Sequence, residues 1–134
     1  MLTNQISTTG FKGKIFYGKK MTKPMIDYAN RILDVAVDGI TARERVKEAS
    51  YDLYIKKAGT KKAVHPKIYF SSYFKCLGDD YKHHRSSPNV RIDSGKVSGA
   101  KELNLFLDRF EYNKGLFKDS YNTFWEKILA FWNF

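Results

Sequence analysis

Apolar residues recur at helical spacing in several separate stretches of the chain, and these stretches predict its helices. The first predicted helix follows Pro24, a residue suited to a first helical turn, and ends at the turn signal Asp38-Gly39. Its apolar residues lie three or four positions apart, as one face of a helix requires; they are Met25, Tyr28, Ala29, Ile32 and Ala36.

A second helix is predicted to begin at Thr41. Thr41 and Glu44 have the spacing of a capping box, in which each side chain satisfies the backbone N–H of the other residue. The predicted helix continues through Lys57, and Gly59 is suited to the left-handed residue that follows a helix. Its inner stripe is formed by Ala42, Val46, Ala49 and Leu53.

The junction of these two helices allows two interpretations. A helix-turn-helix would place Arg43, Arg45 and Lys47 near the start of the second helix, where a recognition helix contacts DNA. However, Arg45 falls on a position that is normally apolar in that motif. The alternative is a plain antiparallel helical hairpin.

Two more helices are predicted in the C-terminal third. Ser98 can cap the first of them, whose buried stripe is Leu103, Phe106, Leu107 and Phe110, and Gly115 helps to end it. The last helix begins near Asp119 or Ser120 and is apolar on most of its circumference, which is typical of a buried or docking helix.

The remaining segments are less regular. Phe11–Tyr17 is predicted to be a strand. Residues 66–77 fit either a helix or a strand, and the spacing of Phe70, Tyr73 and Phe74 favours the helix. Residues 78–99 are polar and rich in turn formers, which predicts a long loop with at most a short strand at Val90–Ile92. The predicted fold class is therefore mainly α or α+β, with about five helices, a short N-terminal strand and, in the second case, a small sheet.

The length of the chain predicts one domain. It has 134 residues, of which 43% are hydrophobic and 16% aromatic, enough to bury a core without disulfides. The stretch Met1–Gly10 is polar and uncharged, so we expect a flexible N-terminal segment before a single basic globular domain at residues 11–134.

Positive charge is concentrated in two stretches. The chain has 24 Lys and Arg against 14 Asp and Glu, a net charge of +10. Residues 11–25 contain five Lys and no acid, and residues 53–91 contain nine basic against two acidic residues. Clustered cations neutralise phosphates, and nearby aromatic side chains can stack on bases.

This pattern predicts a small basic protein, without catalysis, that contacts nucleic acid, DNA or RNA, through its phosphate backbone. An acidic protein surface is the alternative partner for the same charges. The candidate nucleic-acid-binding residues are Lys12, Lys14, Lys19, Lys20, Lys23, Lys56, Lys57, Lys61, Lys62, Lys67, Lys82, Arg85 and Arg91.

A second hypothesis is a protein-interaction module. Phe131, Trp132 and Phe134 cannot all face inward easily on one terminal helix, so they are candidates for a docking surface. Such a module would be a phage- or bacterial-type factor that binds a host protein, or a subunit of a homo-oligomer or larger assembly.

A third hypothesis is a metal-independent RNase-like toxin. His83, His84 and Arg85 combine an acid–base group with a phosphate-binding cation, which that chemistry needs. A solvated polar loop is the alternative, and adjacent histidines in an extended chain point to opposite sides. One Cys and three His exclude a zinc site of the C-x₂-C type, and no cofactor motif occurs, so no metal or cofactor is predicted.

The sequence predicts a soluble, cytoplasmic protein without a membrane partner. Its apolar runs are far shorter than the roughly 20 residues of a membrane span. Its N-terminus also lacks the basic start, apolar middle and cleavage site of a Sec signal peptide.

Overall fold

The computed structural model describes residues 12–59, 65–76, 82–116 and 120–121. In this part of the chain there are three helices: α1 (Lys23–Leu33), α2 (Ala42–Lys47) and α3 (Lys96–Gly115). The strands are β1 (Ile15–Tyr17), β2 (Ala36–Val37), β3 (Ile40–Thr41), β4 (Leu53–Ala58), β5 (Lys67–Cys76), β6 (Lys82–Ser86), β7 (Val90–Arg91) and β8 (Ser120–Tyr121).

The fold is α+β, built on a mixed sheet with β5 at its centre. One edge of β5 pairs with β4 and, further along, with β8; the opposite edge pairs with β7 and then β6, all antiparallel. On its outer side, β4 pairs with β1 in parallel. A parallel pair needs a long crossover, and here α1, the β2–β3 hairpin and α2 provide it.

The helices cover one face of this sheet. Apolar side chains of β4 and β5, among them Ile55, Phe70 and Phe74, are fully buried there in one cluster with residues of α1 and α3. Phe110 of α3 lies at the centre of the aromatic part of this core, with ring centroids 4.7 Å from Tyr51 and 5.7 Å from Phe74.

The prediction of about five helices is wrong, and the largest error concerns residues 66–77. The favoured helix there is instead β5, the longest strand. Both of its faces are buried: Ile68 and Phe70 towards the helices, Ser71 and Tyr73 on the opposite face. A strand buried on both sides loses the alternation of apolar and polar residues that identifies strands in a sequence.

The second predicted helix is also too long. Its capping box is confirmed, since the Thr41 hydroxyl accepts a hydrogen bond from the Glu44 N–H and the Glu44 carboxylate accepts one from the Thr41 N–H. The helix nevertheless ends at Lys47, and residues 53–58 form β4. The apolar residues around Leu53 follow helical spacing by coincidence, because here too both strand faces contribute buried side chains.

A tight β-hairpin, β2–β3, separates α1 from α2, so neither a helix-turn-helix nor a plain helical hairpin forms. Asp38 and Gly39 both have positive φ, 54° and 86°, as the two central residues of a type I′ turn require. Arg43 lies in an ion pair with Asp34 rather than on a recognition surface, with Nε 2.7 Å from Oδ1.

The predicted loop at residues 78–99 contains two strands, β6 and β7, and the start of α3. Gly95 rather than Ser98 is the residue that precedes α3. The predicted final helix lies outside the described residues, except that Ser120–Tyr121 forms β8. The N-terminal segment 1–10 also lies outside them. Of the helices that the structure describes, none is long and apolar enough to cross a membrane.

Candidate nucleic-acid interface

Strand pairing brings the two lysine-rich stretches together at one end of the sheet. Gly18, directly after β1, donates its N–H to the carbonyl of Ile55 at 2.8 Å, which places Lys19 and Lys20 beside the last residues of β4. Across β4, Ala58 pairs with Lys67 at the start of β5. We call Lys19, Lys20, Lys57 and Lys67 the basic end of the sheet.

Several other predicted binding residues are engaged within the chain. Lys12 pairs with Glu48 at 3.4 Å and Lys23 with Asp27 at 3.6 Å. These carboxylates cancel much of the local positive potential of their partners.

Arg91 is held in the same way, by Asp93 at 2.6 Å. The hydrogen bonds from Arg91 hold the pKa of the Asp93 carboxyl below its ordinary value, with the charge of Arg91 acting in the same direction. His65 adds a ring nitrogen 2.9 Å from the Arg91 guanidinium.

The charges at the basic end of the sheet are not neutralised by carboxylates of the described chain. Lys19, Lys20 and Lys67 are exposed and Lys57 is half-buried, and none of the four forms an ion pair with another part of the described chain. Lys14 is exposed as well, but it lies at the other end of the sheet. Its backbone N–H donates to the Asp52 carboxylate at 2.8 Å, near the start of β4. The fold thus selects a subset of the predicted cations.

Lys56 and His84 lie on the face of the sheet opposite the helices. Cross-strand partners share a face, so the pairs Lys56–Tyr69 and Tyr73–His84 place all four side chains there. Burial lowers the pKa of His84, and the positive charges of Lys56 and Arg85 lower it further. Because the folded protein binds the His84 proton more weakly than the unfolded chain does, this group destabilises the fold as pH falls through about 6.5.

We expect the substitution Lys56→Gln to raise the pKa of His84, because it removes a like charge on the same face. An NMR titration of the His84 ring measures this shift. Lys57→Gln is the matched control, since Lys57 points to the other face of β4 and its removal should leave the His84 titration unchanged. An unchanged pKa in the Lys56→Gln variant would contradict the placement of these two side chains.

The aromatic side chains of this region are not arranged for stacking on bases. Phe16 and Tyr54 stack on one another at 5.3 Å, and Tyr73 lies 6.1 Å from Tyr54. Tyr54 is 4% and Tyr73 8% exposed, so their faces are not accessible to a base. Tyr17 is engaged through its hydroxyl, which donates to Asn30 at 2.5 Å. Tyr54 and Tyr73 therefore do not contribute a stacking platform to the interface.

The three residues of the RNase hypothesis do not converge. His83 faces the helices, where its ring stacks on Phe74 at 5.1 Å, whereas His84 points to the opposite face. Arg85 shares the face of His83, and its guanidinium donates to the carbonyl of His84 at 3.0 Å. The two imidazoles therefore lie on opposite sides of β6, where they cannot act on one scissile phosphate.

Some predicted residues lie outside the described part of the chain. These are Lys61 and Lys62, the side chain of Lys82, and the proposed docking residues Phe131, Trp132 and Phe134. Within the described ranges, no three His, Cys, Asp or Glu side chains come together in a way that could hold a metal ion.

Arg109 of α3 is not among the binding residues predicted from the sequence. It lies with Arg85 around a groove between β6 and α3. The positive charge of Arg109 did not stand out in the sequence, because the charges of residues 92–134 sum to zero. In the structure Asp108 and Glu111, the acids next to Arg109 on α3, form ion pairs with Arg45 instead.

Comparison of the chain with family models, with curated proteins and with solved structures finds no match. Its function is therefore inferred from its own residues and their geometry.

Proposed function

We propose that this protein binds nucleic acid without catalysis, and that the basic end of the sheet contacts the phosphate backbone. The observation that carries this proposal is the pairing of β4 with β1 and with β5, which brings exposed or half-buried lysines from two distant stretches to one end of the sheet, on both of its faces. Lysine is a point charge that positions a phosphate without reading sequence. Binding of this kind is therefore expected to depend little on base sequence.

Salt dependence is the first test of this function. Each phosphate that a lysine neutralises releases condensed counterions, so the logarithm of the affinity falls with log salt by roughly 0.7–0.9 per contact. We expect the affinity of the protein for labelled duplex DNA and for single-stranded DNA and RNA, measured by fluorescence anisotropy, to fall steeply from low to physiological salt. Retention that is independent of salt would contradict the proposal.

The triple variant K19Q/K20Q/K67Q locates the interface. It removes three exposed, unpaired charges, and we expect about a tenfold or greater loss of affinity at 0.1 M salt, with a salt slope shallower by about 2. The matched control is K47Q/K96Q/K101Q, which removes three exposed lysines elsewhere on the molecule. Equal losses in both variants would mean that total charge, rather than this cluster, attracts the nucleic acid.

A further inference from the structure

The outer edge of β6 has no neighbouring strand among the described residues. Ser87 donates its N–H to Phe70 across the ladder at 2.8 Å, so the backbone groups of alternate residues, His83 and Arg85, face β5. His84 and Ser86 turn their N–H and C=O groups the other way.

A groove runs beside this edge, between β6 and α3. Its volume is about 130 Å³, and its apolar lining comes from Pro88, Leu105, Phe106 and Phe110. Leu105 is 40% exposed, unlike the nearly buried Phe106 and Phe110 below it. An apolar cavity of about 150 Å³ holds one benzene ring, so this groove has room for one aliphatic or aromatic side chain.

The charged groups around the groove favour an acidic ligand. Arg85 and Arg109 line it, both exposed, and neither forms an ion pair with any described residue. Glu102 is the single acidic residue of the lining and lies about two helical turns from Arg109 along α3. The groove therefore carries a net positive charge above an apolar floor.

We propose that this groove docks an extended, acidic peptide segment of a partner protein, which adds a strand to the outer edge of β6. Main-chain hydrogen bonds to His84 and Ser86 would supply affinity, and alternate side chains would supply specificity. One apolar side chain of the peptide enters the groove, and a neighbouring carboxylate pairs with Arg85 or Arg109. A phosphate backbone would use the arginines but neither the apolar floor nor the strand edge.

Arg85 has a second part in this docking. Its guanidinium now donates to the outward carbonyl of His84 at 3.0 Å, the position that an N–H of an added strand would take. When a peptide pairs with that carbonyl, Arg85 is released to meet the peptide carboxylate. The Arg85 side chain thus occupies the outward His84 carbonyl until an acidic strand replaces it there.

The test uses the full chain and a set of labelled synthetic peptides in which Glu alternates with aliphatic or aromatic residues. We expect binding at micromolar concentration, together with slowed hydrogen exchange of the His84 and Ser86 amides. Peptides with Lys in place of Glu should bind at least about tenfold more weakly.

Two variants separate strand addition from simple charge attraction. Ser86→Pro removes an outward N–H without removing a hydrogen bond to β5, so the fold is expected to persist while peptide affinity falls about tenfold or more. R85Q/R109Q should weaken binding to a similar extent. The control K96Q/K101Q makes the same charge change on α3 outside the groove and should leave the affinity within about twofold.

The proposal would be overturned if no peptide of the set binds at 1 mM, or if a bound peptide does not slow the hydrogen exchange of the His84 and Ser86 amides. It would also be overturned if Ser86→Pro does not change peptide affinity, or if nucleic acid slows the exchange of these same amides. Protection that grows with protein concentration alone, with a dimer by light scattering, would instead assign the edge to a second copy of the chain. It would overturn the proposed partner.

Discussion

Replacing Phe110 with Ala is expected to cost about 3–5 kcal/mol of the free energy of unfolding, the usual range for an aromatic side chain removed from a core. Phe110 is 1% exposed and contacts rings from three directions: Tyr51, Phe74 and Phe106. It joins α3 to the sheet, so the cavity left behind has little freedom to collapse. Urea denaturation followed by circular dichroism measures the loss.

Tyr112 of the same helix provides the matched control. It is 69% exposed, and Tyr112→Ala should change the stability by no more than about 0.5 kcal/mol. Because small domains are stable by only about 5–15 kcal/mol in total, Phe110→Ala is expected to shift the urea midpoint visibly, whereas Tyr112→Ala is not. A loss below 1 kcal/mol for Phe110→Ala would contradict the described packing of α3 on the sheet.

Replacing Gly13 with Ala is expected to displace β1. A Cβ atom on Gly13 would lie 2.2 Å from the carbonyl oxygens of both Tyr51 and Val46, and neither backbone atom can rotate away. The Gly13 N–H also donates to the carbonyl of Ala49 at 2.9 Å, which fixes its position. Overpacking against side chains costs about 1–3 kcal/mol; against two backbone groups we expect at least the upper part of that range.

Gly115→Ala is the control for this substitution. Gly115 is the last residue of α3, and a Cβ there would meet no atom within 4 Å, so the change should be neutral or slightly stabilising. Hydrogen exchange gives a local measurement, because the Leu53 amide donates to the carbonyl of Lys14 at 2.9 Å. If Gly13→Ala leaves the exchange of Leu53 and the stability unchanged, β1 is not held as described.

The sequence predicted those elements that bury one face. Both α1 and α3 have apolar residues at helical spacing, and both helices are confirmed. The predicted stripe of α3 is buried, whereas α1 ends at Leu33 rather than at the Asp38-Gly39 turn, and Ala36 of its predicted stripe is an exposed residue of β2. The capping box of Thr41 and Glu44 marked the start of α2 for the same reason, since it depends on contacts within one turn.

The sheet could not be predicted in this way. Tyr54 and Ile55 are both buried although they point to opposite faces of β4, and the same holds for Phe70 and Ser71 of β5. The alternation of apolar and polar residues that identifies a strand then disappears from the sequence, and the apolar residues that remain fit the spacing of a helix. The extent of α2 was overestimated for that reason, because the residues of β4 extended its apparent stripe.

The sequence predicted where positive charge is concentrated, but not which of the basic residues remain unpaired in the fold. Summing charges along the chain identified the two basic stretches, and strand pairing brings part of each, Lys19 and Lys20 with Lys57 and Lys67, to one end of the sheet. Which lysines remain unpaired depends on tertiary contacts such as Lys12 with Glu48, 36 positions apart, and no local pattern encodes those. The groove at Arg85 and Arg109 likewise exists only because α3 packs beside β6.

The order of elements along the chain has a consequence for synthesis on the ribosome. The antiparallel pair β4–β5 can form once Cys76 has emerged, but the helix that covers its apolar face, α3, begins 20 residues later at Lys96. Of the three described helices, α1 and α2 alone precede this point, so the part of the core around Ile55, Phe70 and Phe74 that α3 supplies is still missing. Exposed apolar sheet surface is the usual substrate of chaperones and the usual start of aggregation, so the nascent chain is most vulnerable while α3 is still in the exit tunnel.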